Sequence, residues 1–201
     1  MEIENPFLDR NSDILISSRN LPHWNQFEKF QYITFHTADA IPQKEIKYLL
    51  NLKKGFEKIN PKPWDKETEN RYHKLISSRK ENLLDKGVGR CILKYPEYRK
   101  IVEESIIFYH LEKYFILSYV IMPNHVHLLV KTIGNSKINK ALGSLMRFSA
   151  RKINEKLKTK GSFWTEEAFD RIVRSEEHLK HCLHYIHNNP KNLKAGEYTL
   201  V

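Results

Sequence analysis

Cysteines and long apolar runs are scarce in this chain. Its 201 residues include two cysteines, Cys91 and Cys182, which form no C-x-x-C unit. This excludes a disulfide scaffold or a cysteine zinc site as the basis of the fold. The chain also lacks the run of about 18 apolar residues that a membrane-spanning helix requires. The opening residues, MEIENPFLDR, lack the apolar stretch of a secretory signal, so we expect a cytoplasmic protein.

Acidic residues are outnumbered by basic ones, most strongly in the C-terminal third. The chain has 34 lysines and arginines against 24 acidic residues, a net charge of +10, and 40% hydrophobic residues, enough for a core. Residues 131–201 hold 14 basic and 7 acidic residues, a surplus of 7. This surplus favours a polyanionic partner. We expect nucleic acid rather than a lipid surface, because no basic amphipathic helix with apolar anchors is evident.

The spacing of apolar residues predicts one α/β domain over residues 1–201. Alternation predicts strands over residues 27–37, 114–122 and 125–132, the last two forming a hairpin. Helical spacing predicts helices from Pro42, from Pro96, over residues 137–158, and from Ser175 to Asn189, which precedes Pro190. Residues 1–26 are predicted to form an irregular arm, and residues 60–90 a polar helical insertion without its own core.

Two histidines flank one valine in MPNHVHLLV, residues 122–130. Side chains alternate across a strand, so His125 and His127 point to the same face. Two imidazoles in this arrangement can share a divalent metal ion. An H-x-H pair alone is also compatible with surface or hydrogen-bonded strand histidines.

The last predicted helix presents Tyr185 away from its apolar side. Its apolar stripe consists of Leu179, Cys182, Leu183 and Ile186. Tyr185 shares the other side with His178, His181 and Asn189, whose amide oxygen can bind a hard metal ion. The alternative is a tyrosine that hydrogen-bonds at a helix–sheet contact.

A polar, mostly cationic stripe follows the long predicted helix over residues 137–158. Its members are Lys140, Ser144, Arg147, Arg151, Asn154 and Lys158. Such a stripe is either a solvated face or a surface that binds phosphates.

These segments resemble a known family. MPNHVHLLV resembles the HUH motif of single-tyrosine transposases, and HYIHNNPKNLKAG resembles the YI-x-x-NPV-x-AG segment that carries their nucleophile. LPHWNQFEKFQYITFHTADAIP and GSFWTEEAFDRIVRSEEHL resemble two further blocks, in the expected order, of the transposases associated with repetitive extragenic palindromes in bacteria. The chain departs from the family where NPV is replaced by NPK, which alters the loop after the tyrosine by about two residues.

The resemblance implies a fold and a mechanism. It implies an α+β, ferredoxin-like antiparallel sheet with helices packed on it, and a nucleoid-associated monomer or homodimer that acts on single-stranded or hairpin DNA with REP-like palindromes. His125, His127 and Asn189 would hold Mg²⁺ or Mn²⁺, and Tyr185 would attack the scissile phosphate to form a 5′-phosphotyrosine. His181 is a candidate for proton transfer. The expected DNA-binding residues are Lys140, Arg147, Arg151, Lys158, Trp164, Arg171 and Arg174, although Phe163 or Trp164 can instead belong to the core.

Two alternatives remain open at this point. One is a domesticated module that binds hairpin DNA without cutting it. The other is a metal-dependent phosphodiesterase that uses activated water, with Tyr185 as a structural residue.

Overall fold

The computed structural model describes residues 5–18 and 22–201, and the chain forms two compact units. One unit contains Met1–Ala38 and Ile92–Val201, and the other Asp39–Cys91. The strands are β1 (Leu15–Ser18), β2 (Pro22–Asn25), β3 (Phe30–His36), β4 (Tyr114–Ile121), β5 (His125–Thr132), β6 (Phe169–Ile172) and β7 (Thr199–Leu200). The α-helices are α1 (Gln43–Ile59), α2 (Lys66–Tyr72), α3 (Ser78–Asp85), α4 (Pro96–Ile107), α5 (Ile138–Leu157) and α6 (Glu176–Asn188).

The larger unit is built on a five-stranded antiparallel sheet in the order β6-β3-β5-β4-β7. Along the chain, the elements β3, α4, β4, β5, α5 and β6 follow the βαββαβ order of the ferredoxin-like fold. The short strand β7 extends the sheet beyond β4. The predicted ferredoxin-like antiparallel sheet with packed helices is therefore confirmed.

The two faces of the sheet are covered by different helices. On one face, Phe35, Val126 and Leu128 form an apolar cluster with buried residues of α4 and α5. On the other face, Tyr32 and Leu129 pack with Cys182 and Ile186 of α6. Because successive residues of a strand alternate between faces, the histidines of β5 lie on the α6 side.

The remaining predicted elements are close to the observed ones. The predicted strands and helices correspond to β3, β4, β5, α1, α4, α5 and α6. Helix α6 begins at its predicted cap, where the Ser175 hydroxyl accepts a hydrogen bond from the His178 N–H. The prediction of an irregular arm over residues 1–26 was wrong where β1 pairs with β2, and its residues 1–4 and 19–21 lie outside the described residues. Strands of four residues are too short for alternation to reveal.

The smaller unit contains α1, α2 and α3, with one π-helical turn at His73–Ser77. Its buried apolar cluster is small and consists of Ala40, Ile41, Leu49, Leu83 and Leu84. Phe56, Trp64 and Tyr72 form a second contact group, with Trp64 and Tyr72 ring centroids 4.7 Å apart. In the described parts of the chain, no helix is both long and apolar enough to cross a membrane.

Candidate active site

Two buried histidines lie side by side on the middle strand of the sheet. His125 and His127 on β5 are 1% and 0% exposed, and a ring nitrogen of one lies within 4.8 Å of a ring nitrogen of the other. Their ring centroids are 4.8 Å apart, with the planes at 78°. The two imidazoles are close enough to bind one metal ion.

Burial keeps both imidazoles neutral. It lowers the pKa of His127 to about 3. Burial also lowers the pKa of His125 well below its usual value, with further lowering from His127 and His36, while a hydrogen bond with the Asn189 side chain acts in the opposite direction. A neutral imidazole retains a lone pair for a metal ion, whereas a protonated one does not.

Helix α6 brings Tyr185 to the same histidines of the same chain. The Tyr185 ring centroid lies 5.0 Å from that of His127, with the planes at 86°, and 6.4 Å from that of Tyr32. Cys182 and Ile186, on the apolar side of α6, are buried against the sheet and set the position of the helix. The phenolic oxygen of Tyr185 is a buried atom.

Asn189 lies at the end of α6, one turn after Tyr185, and starts a 3-10 turn, Asn189–Asn192. Its side chain hydrogen-bonds to His125, and its amide oxygen is buried. The buried ring of Pro190 follows directly and ends the α-helical hydrogen bonding. The structure therefore brings Tyr185, Asn189 and the two histidines together.

The donor set fits a divalent cation. The Nε2 atom of His127 is buried and has no hydrogen-bond partner within residues 5–18 and 22–201, which leaves its lone pair for an ion. The Nε2 atom of His125 and the amide oxygen of Asn189 are buried as well. Two imidazole nitrogens and one amide oxygen can hold a divalent cation such as Mn²⁺ or Mg²⁺, which would fill its remaining positions with oxygens from phosphate and water.

Three neighbours of the histidines escaped the sequence prediction. The hydroxyl oxygens of Tyr32 and Thr34 lie 2.8 and 2.9 Å from the Nδ1 atom of His127. The Asn124 side-chain oxygen lies 2.7 Å from the Nδ1 atom of His125. The alternation of strand β3 contained the signal for Tyr32 and Thr34, because both lie on one face of that strand and that face meets the histidines.

The cationic stripe of α5 does not lie beside the histidines. Its predicted DNA-binding residues, Lys140, Arg147, Arg151 and Lys158, are exposed. Helix α5, however, packs on the face of the sheet opposite the one that carries His125 and His127. The stripe and the histidines are therefore separated by the sheet.

Arg171 and His181 lie on the side of the sheet that carries the histidines, and Arg174 follows strand β6 in the chain. Arg171 on β6 pairs with Tyr32 across the strands and shares its face, and its buried Nε atom has no hydrogen-bond partner among the described residues. Arg174 follows β6 and is exposed. His181 is exposed on the turn of α6 before Tyr185.

Trp164 is a core residue, which corrects its predicted place on the DNA surface. Its side chain is 5% exposed, and its ring centroid lies 4.9 Å from that of Phe35. Its Nε1–H donates a hydrogen bond of 2.9 Å to the Ser149 hydroxyl. Because no face of the indole is open to solvent, Trp164 cannot stack on a base.

The chain is similar to one protein family and to a solved transposase structure. Residues 94–189, which include both histidines, Tyr185 and Asn189, match the model of the family described as transposase IS200 like. A solved structure of the REP-associated tyrosine transposase bound to a REP hairpin is similar at 11% identity and a TM-score of 0.47, over 87% of this chain and 74% of that one. No curated protein matches the chain in sequence. Residues 94–189 of this chain are therefore similar to the IS200-like transposase family.

Proposed function

We propose that this protein is a metal-dependent endonuclease and strand transferase for single-stranded DNA at hairpin-associated sites. One observation carries the proposal: the ring of Tyr185 packs edge-on at 5.0 Å from that of His127 within one chain. A candidate nucleophile and a candidate metal ligand thus share one buried site. A structural tyrosine would account for the packing, but not for a neighbouring pair of neutral imidazoles with buried Nε2 atoms.

The chemistry assigned to each group follows from its position. His125, His127 and Asn189 would hold Mg²⁺ or Mn²⁺, which when bound neutralises charge on a phosphate. The phenolic oxygen of Tyr185 attacks phosphorus, and the bond from phosphorus to the 3′ oxygen breaks. The products are a 5′-phosphotyrosine and a free 3′-hydroxyl, which takes up the proton that the phenol gives up. His181 is the proposed proton carrier, because it lies one turn from Tyr185 and is open to solvent.

Strand joining reverses the same step. A 3′-hydroxyl attacks the phosphotyrosine, the bond from phosphorus to the tyrosine oxygen breaks, and a phosphodiester forms. The covalent link conserves the energy of the original phosphodiester, so no ATP is needed. The proposal includes a cytoplasmic site of action on nucleoid DNA.

The DNA would approach the histidine face, and the proposed contacts differ in their distance from the chemistry. Arg171 lies on that face next to Tyr32, so we assign it to the strand near the scissile phosphate. Arg174 follows it along the chain. Lys140, Arg147, Arg151 and Lys158 lie on α5, behind the sheet, where they can bind only a more distant part of a hairpin.

A labelled single-stranded oligonucleotide with a REP-like hairpin tests the proposal. Incubated with the protein and Mn²⁺, it should give a covalent protein–DNA adduct that survives a denaturing gel. Tyr185→Phe should abolish the adduct while it retains DNA binding, because the variant loses only the attacking oxygen. Tyr198→Phe is the matched control, since Tyr198 packs on the same apolar cluster outside the proposed site, and its adduct should persist.

The other outcomes identify the rival functions. Cleavage that persists in Tyr185→Phe would show hydrolysis by water and refute the tyrosine mechanism. Hairpin binding without any cleavage, with Mg²⁺ or with Mn²⁺, would identify a domesticated binding module.

A further inference from the structure

The residues that contact the Nδ1 atom of each imidazole determine which ring nitrogen can bind a metal ion. A neutral imidazole has one N–H and one lone pair, and a metal binds only the nitrogen that carries the lone pair. In both histidines the Nδ1 atom has side-chain oxygen neighbours within hydrogen-bond distance. The orientation of those hydrogen bonds therefore determines the state of Nε2.

The Asn124 contact has only one possible direction. The Asn124 side-chain atom 2.7 Å from the His125 Nδ1 is a carbonyl oxygen, which accepts and cannot donate. The proton of a neutral His125 must then be on Nδ1, and the lone pair on Nε2.

Backbone hydrogen bonds hold the turn that presents this oxygen. Asn124 is fully buried, and its carbonyl accepts a bond of 2.8 Å from the Thr37 N–H. The carbonyl of Pro123 accepts a bond of 3.0 Å from the Leu93 N–H, and the Met122 N–H donates to the His125 carbonyl at 2.8 Å. With the backbone fixed on both sides, the Asn124 amide stays directed at His125.

His127 is held in a different way. The two oxygens near its Nδ1 belong to hydroxyl groups, which can donate or accept. If Nδ1 accepted, the proton would be on Nε2, a buried atom with no hydrogen-bond partner among the described residues, and a buried donor without an acceptor destabilises the folded protein. The arrangement with Nδ1–H donating to the hydroxyl oxygens avoids this cost. Tyr32 also stacks on the imidazole, with planes at 17°, which fixes the ring orientation.

We propose that Asn124, Tyr32 and Thr34 are positioning residues that hold His125 and His127 with Nδ1 protonated and Nε2 facing the metal ion. The inference rests on the proposed function only in taking the bound group to be a divalent cation. In this arrangement Asn124 fixes which nitrogen of the His125 ring carries the proton.

Nuclear magnetic resonance of the metal-free protein labelled with ¹⁵N-histidine tests the inference without DNA. Long-range ¹H–¹⁵N correlations show which nitrogen of each ring is protonated, and His125→Gln and His127→Gln assign the signals. We expect Nδ1–H for both histidines. Asn124→Ala should lose this preference at His125 alone, and Tyr32→Phe combined with Thr34→Val should lose it at His127 alone.

Mn²⁺ binding, measured by electron paramagnetic resonance of the free ion, provides the second readout. Asn124→Ala should weaken binding about 10- to 100-fold, as is typical when a hydrogen-bond partner of a metal ligand is removed. Asn124→Asp keeps an accepting oxygen at the same place and should retain most of the affinity. Asn188→Ala is the control, because Asn188 is exposed and bonds within its own helix.

An Nε2–H signal at His125 in the natural protein would overturn the inference, whether or not Asn124→Ala folds. Mn²⁺ affinity that is unchanged in a folded Asn124→Ala would do the same, and so would loss of the Nδ1–H signal in Asn124→Asp. If the tautomers are as expected but no DNA is cut, the proposed function fails and the positioning residues stand.

Discussion

Replacing Trp164 with phenylalanine tests whether this residue belongs to the core or stacks on a DNA base. The indole N–H donates to the Ser149 hydroxyl, which itself donates to the Leu145 carbonyl at 2.9 Å inside α5. Phenylalanine keeps an aromatic ring but removes the donor and leaves a small void beside Phe35. A buried hydrogen-bonding group left unmet costs about 1–3 kcal/mol, and we expect the free energy of unfolding to fall by that amount. Trp164→Ala should cost about 3–5 kcal/mol.

Urea unfolding followed by circular dichroism measures the change, and fluorescence anisotropy with a labelled hairpin measures DNA affinity. DNA affinity of folded Trp164→Phe should match that of the natural protein. Ser149→Ala removes the other partner of the same hydrogen bond, so the double variant should lose less stability than the sum of the single losses.

Phe148, which lies on α5 next to Ser149, is the matched control, since it is 45% exposed. Phe148→Ala should change the free energy of unfolding by no more than about 0.5 kcal/mol. Unchanged stability of Trp164→Phe together with weaker DNA binding would refute the core assignment.

Three further predictions concern the proposed active site. Tyr185 and His127 of one chain are adjacent, so a mixture of the Tyr185→Phe and His127→Ala proteins should form no adduct on the gel. If two chains exchanged α6, the mixed dimers would instead restore about a quarter of the activity of the natural protein. Arg171→Gln should slow cleavage at least tenfold in a single-turnover assay, whereas Arg151→Gln, behind the sheet, should change it little; equal effects would contradict the assignment of the histidine face. Chelation with EDTA should abolish cleavage without lowering the melting temperature by more than about 2 °C, because the apolar clusters do not include the metal ligands, and a large fall would show that the metal supports the fold.

The local parts of the site were predictable from sequence because they depend on short-range geometry. Alternation along a strand places His125 and His127 on one face whatever the rest of the chain does. Helical spacing likewise separates Tyr185 from the stripe that contains Ile186, and a proline after Asn189 ends the helix. The antiparallel sheet with helices packed on it followed from the resemblance, but strand β6 was not predicted.

The parts that sequence did not predict depend on three-dimensional placement. The period of α5 identifies its polar side but not which face of the sheet the helix covers, so the sequence did not show that the sheet separates Arg147 and Arg151 from the histidines. An aromatic pair before a charged stretch does not show that Trp164 has Ser149 as a buried partner. The contact of Asn124 with His125 was also hidden, because a turn residue shows no periodicity.

The burial of the Tyr185 phenolic oxygen affects which DNA the protein can attack. If Tyr185 is the nucleophile, as proposed, its buried oxygen is out of reach of the DNA that the protein meets by chance. Under the proposed function, α6 or its neighbours must shift before a phosphate can approach, and binding of the correct hairpin is the natural source of the energy for that shift. The protein without bound hairpin would then be inactive towards chromosomal DNA. Its specificity would depend on the hairpin that exposes Tyr185 as well as on the phosphate that Tyr185 attacks.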